Sequence, residues 1–119
     1  AKTVAGRLGI PVRVHADAAA PRLDSALETA LYRIVQEALN NVAKHARAGH
    51  VDITLTHDGA GILLVIADDG VGFDATAAAG GYGLRGMRER AEAVGAHFDI
   101  ASRPGAGTRI TITVKAAAS

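Results

Sequence analysis

Apolar and polar positions change their period several times along this chain, and each change marks an element. Ile10 to His15 (IPVRVH) alternates with period two, which predicts a short strand. Pro11 suits a strand start or a sheet edge. ADAAAPRLDS follows as a loop, broken at Pro21. From Asp24 or Ser25 the period lengthens. Leu27, Leu31, Ile34, Val35, Ala38 and Val42 recur at helical spacing and predict a long helix with one core-facing stripe. Ser25 and Glu28 have capping-box spacing, and Gly49 supplies the stop.

Period two returns at His50 to His57 (HVDITLTH), with Val51, Ile53 and Leu55 on one face and Asp52, Thr54 and Thr56 on the other. Asp58-Gly59-Ala60-Gly61 reads as a turn into Ile62 to Ala67 (ILLVIA), so the two strands form a hairpin. ILLVIA is a near-continuous apolar run, as expected of a central strand covered on both faces. The next stretch, DDGVGFDATAAAGGYG, has five glycines and no hydrophobic period, which marks it as a loop. A second helix is expected over roughly Leu84 to Val94, ended by Gly95. A strand at about His97 to Ala101, a turn over Ser102 to Gly107 and a last strand at Thr108 to Val114 complete the pattern. The KAAAS tail reads as frayed, and no internal repeat is present. An antiparallel-rich sheet needs its apolar face covered, and two helices can cover it. The expected class is α+β: a two-layer α/β sandwich whose mixed, mostly antiparallel sheet has helices on one face, in a single domain over residues 1–119.

Composition narrows the function classes. The chain is 49% hydrophobic but only 3% aromatic, so its core must be aliphatic. A formal net charge of +1 gives no reason to expect nucleic acid or a membrane surface as partner. With no cysteine, disulfides and thiolate metal sites are excluded. No apolar run approaches the roughly 20 residues of a membrane span, and AKTVAGRLGIPV lacks a signal-peptide core, so direct membrane insertion is not expected.

Three features carry candidate chemistry. On the long helix, Glu37, Asn41, Lys44 and His45 cluster on one side, beside the apolar stripe and not opposite it. Such a boundary suits side chains that line a cleft, although Glu and Lys on a helix more often form a solvated face. Asn40-Asn41 is less ordinary, because Asn competes with helical backbone hydrogen bonds. A carboxylate at this place can accept a proton or polarise a nucleophile. An amide oxygen is a hard ligand suited to Mg²⁺. The second feature, Asp68-Asp69-Gly70-Val71-Gly72, puts a carboxylate at the end of the central strand, beside glycines that allow close backbone approach; it is also good turn sequence. The third, GYGLRG at residues 81–86, precedes a helix whose free N–H groups can hold phosphates, or it is simply a flexible loop and helix start. GYGLRG fits the dinucleotide fingerprint G-x-G-x-x-G. That fingerprint needs a strand immediately before it, and residues 73–80 (FDATAAAG) do not read as one.

Taken together, in this order and spacing, the three features resemble the GHKL ATPases, the superfamily of the gyrase, heat-shock chaperone, mismatch-repair and histidine-kinase ATP sites. QEALNNVAKHA is similar to its N box, DDGVGF to its G1 box, GYGLRGMRERA to its G2 box, and Gly105-Ala106-Gly107-Thr108 to its closing G-x-G-T. The resemblance covers about Leu23 to Val114. LYRIVQEALNNVAKHA and GYGLRGMRERAEAVGA most resemble the catalytic and ATP-binding domain of bacterial two-component sensor histidine kinases with a short lid and a Glu in the N box.

This resemblance implies the Bergerat α/β sandwich, ATP with Mg²⁺, and phosphoryl transfer to a histidine. It implies that Asp68 accepts the adenine N6 hydrogen bond, that Gly72 lies against the base and that Thr108 closes the adenine pocket. Asn41 would coordinate Mg²⁺, Glu37 would orient or deprotonate the attacking group, and Lys44 and His45 would face the phosphates. Residues 74–82 would form the lid, with Gly81 and Gly83 around the triphosphate; Gly70, Tyr82 and Leu84 would also contact nucleotide. The acceptor in such kinases lies on a separate dimerisation and phosphotransfer domain. None of His15, His45, His50, His57 and His97 stands on such a helix here, so the chain reads as an excised, monomeric, cytoplasmic catalytic domain. Its expected partners are that acceptor domain and, through the parent kinase, a response regulator. Two further readings are a serine kinase of the anti-sigma-factor type and a nucleotide-binding regulatory module without turnover.

Overall fold

The computed structural model describes residues 12–16, 25–42, 50–58, 61–71, 84–103, 105 and 107–115. Its elements run β1 (Val12–Ala16), α1 (Ser25–Asn41), β2 (Val51–Asp58), β3 (Gly61–Asp68), α2 (Leu84–Ala93), β4 (His97–Ser102) and β5 (Thr108–Lys115). The five strands form one sheet in the order β1-β2-β3-β5-β4. β1 pairs with β2 in parallel, and the other pairings are antiparallel. The expected mixed, mostly antiparallel sandwich is the observed one.

Local chemistry accounts for the connections. A parallel pair needs a long crossover, and α1 lies within the one between β1 and β2. β2 and β3 meet as a hairpin in which Asp58 pairs with Gly61, leaving two residues between them. Gly61 has a φ of 141°, a conformation open to glycine. α2 ends at Ala93 and turns through Gly95 at a φ of 76°, the left-handed stop expected of a glycine after a helix.

Strand register sets the core. Ile53 pairs with Ile66, Leu55 with Leu64, Ile66 with Ile110, Leu64 with Ile112, and Phe98 with Ile112. These residues share one face and pack with Leu31, Ile34 and Leu39 of α1 and with Leu84, Met87 and Ala91 of α2. Both helices therefore lie on the same side of the sheet. Arg88 reinforces the seat of α2, with its guanidinium 5.1 Å from the Phe98 ring centre and one N–H donating to the Phe98 carbonyl.

One expectation is corrected. β3 is central in the sheet, but among the described residues it is covered on one face only: Leu64 and Ile66 are buried, whereas Leu63, on the other face, is 39% exposed. Its apolar run reflects strand-forming residue types and not a second helical layer. Among the described residues the first strand spans Val12–Ala16, one residue beyond the expected end at His15, and it does occupy a sheet edge; Ile10 lies outside the described residues. At that edge the core thins: Val14 pairs with buried Ile53 yet is 48% exposed. Lys115, the first residue of the KAAAS tail, is not frayed but ends β5, paired with Gly61; Pro11, the stop at Gly49 and residues 116–119 lie outside the described residues.

Candidate functional site

Asp68 ends the central strand, where its register partners are Val51 of β2 and Thr108 of β5. Period two puts its side chain on the face of Leu64 and Ile66, the face that carries the helices. The carboxylate is thus held at the rim of the core. Its Oδ1 accepts the Gly70 N–H at 2.8 Å, a local turn that fixes the side chain. Burial pushes the Asp68 carboxyl above its ordinary value, and the neighbouring Asp69 charge adds to the rise. Hydrogen bonds from the Gly70 and Thr108 backbones oppose it without cancelling it. An ionised Asp68 is therefore under-solvated and gains from a donor supplied by a ligand.

The surroundings of Asp68 are tightly built. Gly107 is buried at a φ of 74°, and a Cβ there would lie 2.4 Å from the Asp68 carbonyl oxygen. Only glycine lets β5 begin this close to the end of β3. The Gly105 N–H donates to the Val71 carbonyl and ties the β4–β5 turn to the segment after Asp68. The Ser102 hydroxyl lies 3.1 Å from the Gly107 carbonyl and 2.8 Å from Thr108 Oγ1. With its one proton given to Gly107, Ser102 accepts that of Thr108, which fixes the Thr108 rotamer. Beyond Asp68, the Asp69 carboxylate is gripped by His50, which donates its backbone N–H to Oδ1 at 3.1 Å and sets Nδ1 3.1 Å from Oδ2.

On α1, Glu37 and Asn41 are half-buried one turn apart, between the buried Ile34, Ala38 and Leu39 and the exposed Tyr32, Arg33 and Asn40. Both occupy the boundary read from their spacing. Val42, directly after Asn41, packs in the same core as Val51, the register partner of Asp68. Among the described residues, no group of three His, Cys, Asp or Glu gathers to hold a metal. One amide and one carboxylate, both hard oxygen donors, suit Mg²⁺, which is commonly held by few protein ligands plus phosphates and water. Leu84 is 8% exposed and packs in the core, so any ligand contact it makes is through its backbone at the start of α2. Lys44, His45, Gly72, Gly81, Tyr82 and Gly83 lie outside the described residues. The structure thus brings Asp68, Gly70 and Thr108 together, and sets Glu37 and Asn41 on one helix edge. Residue reading overlooked Ser102 and the His50–Asp69 contact. Ser102 had a faint signal, as a polar residue on the core face of its strand.

Residues 26–118 match the family described as histidine kinase-, DNA gyrase B- and HSP90-like ATPases. The chain belongs to this family. It is 44% identical over 100 residues to an uncharacterised sensor-like histidine kinase of Chloroflexus aurantiacus, covering 78% of this chain and 17% of that protein. It is 40% identical over 108 residues to the oxygen sensor histidine kinase NreB of Staphylococcus carnosus, covering 89% of this chain and 31% of that one. This ATPase domain is therefore of the kind found in sensor histidine kinases, and it spans less than a third of either relative. Its fold matches the histidine kinase domain of the Erythrobacter litoralis EL346 blue-light activated histidine kinase with a TM-score of 0.80, at 22% identity, over 95% of this chain and 56% of that one. The match supports the fold. No helix among the described residues is long and apolar enough to cross a membrane.

Proposed function

We propose that this domain binds Mg-ATP and delivers its γ-phosphoryl group to a histidine on a separate dimerisation and phosphotransfer domain, within a cytoplasmic two-component signalling kinase. The observation that carries the reading is Asp68. Its half-buried carboxylate, held at the end of the central strand by the Gly70 N–H, is matched by the exocyclic amine of adenine. Thr108 and the glycines at 70 and 72 bound the base. Glu37 and Asn41 supply the reacting end: Asn41 would ligate Mg²⁺, which would neutralise phosphate charge when bound. Lys44, His45, Gly81, Tyr82 and Gly83, which lie outside the described residues, are assigned to the triphosphate by the motifs they belong to.

The chemistry asks little covalent work of the protein. A lone pair on one acceptor imidazole nitrogen forms the N–P bond as the P–O bond to ADP breaks, and Glu37 holds the proton on the other nitrogen. Positioning and charge neutralisation supply the rate. The test is to incubate the 119-residue chain with γ-labelled ATP, with and without the acceptor domain of its parent kinase. Acid-labile, base-stable label on the acceptor is expected. ATP binding without any label would leave a regulatory module, and acid-stable label would indicate a serine kinase.

A further inference from the structure

We propose that His50 is a positioning residue for the base-recognising carboxylate, an inference that rests on the adenine reading of Asp68. The chain has two adjacent carboxylates at the end of β3, and a base can be read reliably only if one of them is presented to it. His50 occupies the other. Its backbone N–H takes Asp69 Oδ1 at 3.1 Å and its ring Nδ1 stands 3.1 Å from Oδ2, so one residue holds both oxygens. The contact spans 19 residues of sequence and ties the start of β2 to the end of β3. Val51 and Asp68 are the last register pair of that ladder. The clamp continues the ladder one step further by side chain, at the point where the backbone of β3 leaves the sheet.

Two consequences follow for Asp68. Its backbone is held from both sides, by the clamp at Asp69 and by Gly107 pressed against its carbonyl. Its side chain is left to the Gly70 and Thr108 backbones and to a ligand, while the Asp69 carboxylate is turned toward the imidazole. His50 touches neither the base nor the reacting atoms and acts only through Asp69. The pair is half-exposed, with side chains 42% and 45% accessible, and is not part of the hydrophobic core. Its loss should therefore be felt more in base selection than in folding.

The readout is the ratio of ATP to inosine triphosphate affinity, measured by calorimetry on the 119-residue chain. Inosine triphosphate carries a 6-oxo group in place of the amine, so the ratio reports directly on how well Asp68 meets that position. The wild type should favour ATP, and Asp68→Asn should abolish the preference. His50→Ala should reduce the preference about threefold to tenfold, the range expected for one mislaid hydrogen bond. Its thermal midpoint should stay close to that of the wild type. His50→Asn, whose amide N–H can replace Nδ1, should restore the ratio. An undiminished ratio in His50→Ala, with Asp68→Asn still losing it, would overturn the positioning role alone. A wild type that does not distinguish the two nucleotides would overturn the adenine reading and this inference with it.

Discussion

Ionised Asp68 works against the fold that holds it. Its folded-state pKa is raised above the ordinary 3.8, chiefly by burial. Above that raised value the folded protein holds a charge that the unfolded chain solvates better. As pH falls through the folded value the folded state binds the proton first, so this contribution moves toward stability, and it levels off below the unfolded value. Asp68→Asn removes the charge and keeps an oxygen for the Gly70 N–H. The variant should thus be more stable than wild type at neutral pH, with the gap closing as pH drops toward 3.8. Paired denaturant titrations across pH would show it, and a variant less stable at pH 7 would refute it. The same substitution should weaken ATP binding roughly tenfold to a hundredfold, because it removes a charge-assisted hydrogen bond. Stability and binding are expected to move in opposite directions at this residue.

At the scale of elements, two glycines near the site have opposite duties. Gly107 opens β5 in the left-handed region, against the Asp68 carbonyl. Gly107→Ala should destabilise the domain by at least about 1–3 kcal/mol through backbone strain and clash, and it should displace Asp68. Gly86 lies exposed within α2 with open space where a Cβ would go. Gly86→Ala should stabilise by about 0.5–1 kcal/mol through helix propensity and leave ATP affinity unchanged. Thermal melts of the two variants test both signs. The second result also bears on GYGLRG, because a dinucleotide fingerprint requires its third glycine for close packing. Helix and strand identities were readable because their periods are local: HVDITLTH alternates within eight residues, and the stripe on α1 repeats within one helix. Other features depend on chain segments that meet only in the fold. The apolar content of β3 cannot show which face a helix covers, and so the exposure of Leu63 is not legible in it. Parallel pairing of β1 with β2, and the reach of His50 to Asp69, join residues with no shared local pattern. The motif glycines drew attention to Gly107, but its role under Asp68 needed the register of β5 on β3.

On the proposed reading, base recognition and phosphoryl transfer fall to different elements of the molecule. Asp68, Gly70 and Thr108 belong to the sheet end, whereas Glu37 and Asn41 ride on α1 at the edge of its buried stripe. Helix and sheet are joined through a common aliphatic core, so substitutions on the solvent-facing edge of α1 need not disturb the end of β3. Binding and transfer should then be separable by mutation. Glu37→Gln keeps the shape of the side chain and removes its negative charge. It should hold ATP within about threefold of wild type, since uniform binding is little affected. Transfer to an acceptor domain supplied in trans should fall about 10²–10⁴-fold, the usual worth of a positioned acid or base. Asn41→Ala should weaken the Mg²⁺ dependence of both steps, because on the proposed reading it removes the metal ligand and not the proton holder. Calorimetry with ATP in the presence and absence of Mg²⁺, run beside a phosphotransfer assay, separates the two variants. If Glu37→Gln lost binding and transfer equally, the division between sheet and helix would be wrong, and Glu37 would have to be counted among the groups that hold the nucleotide itself.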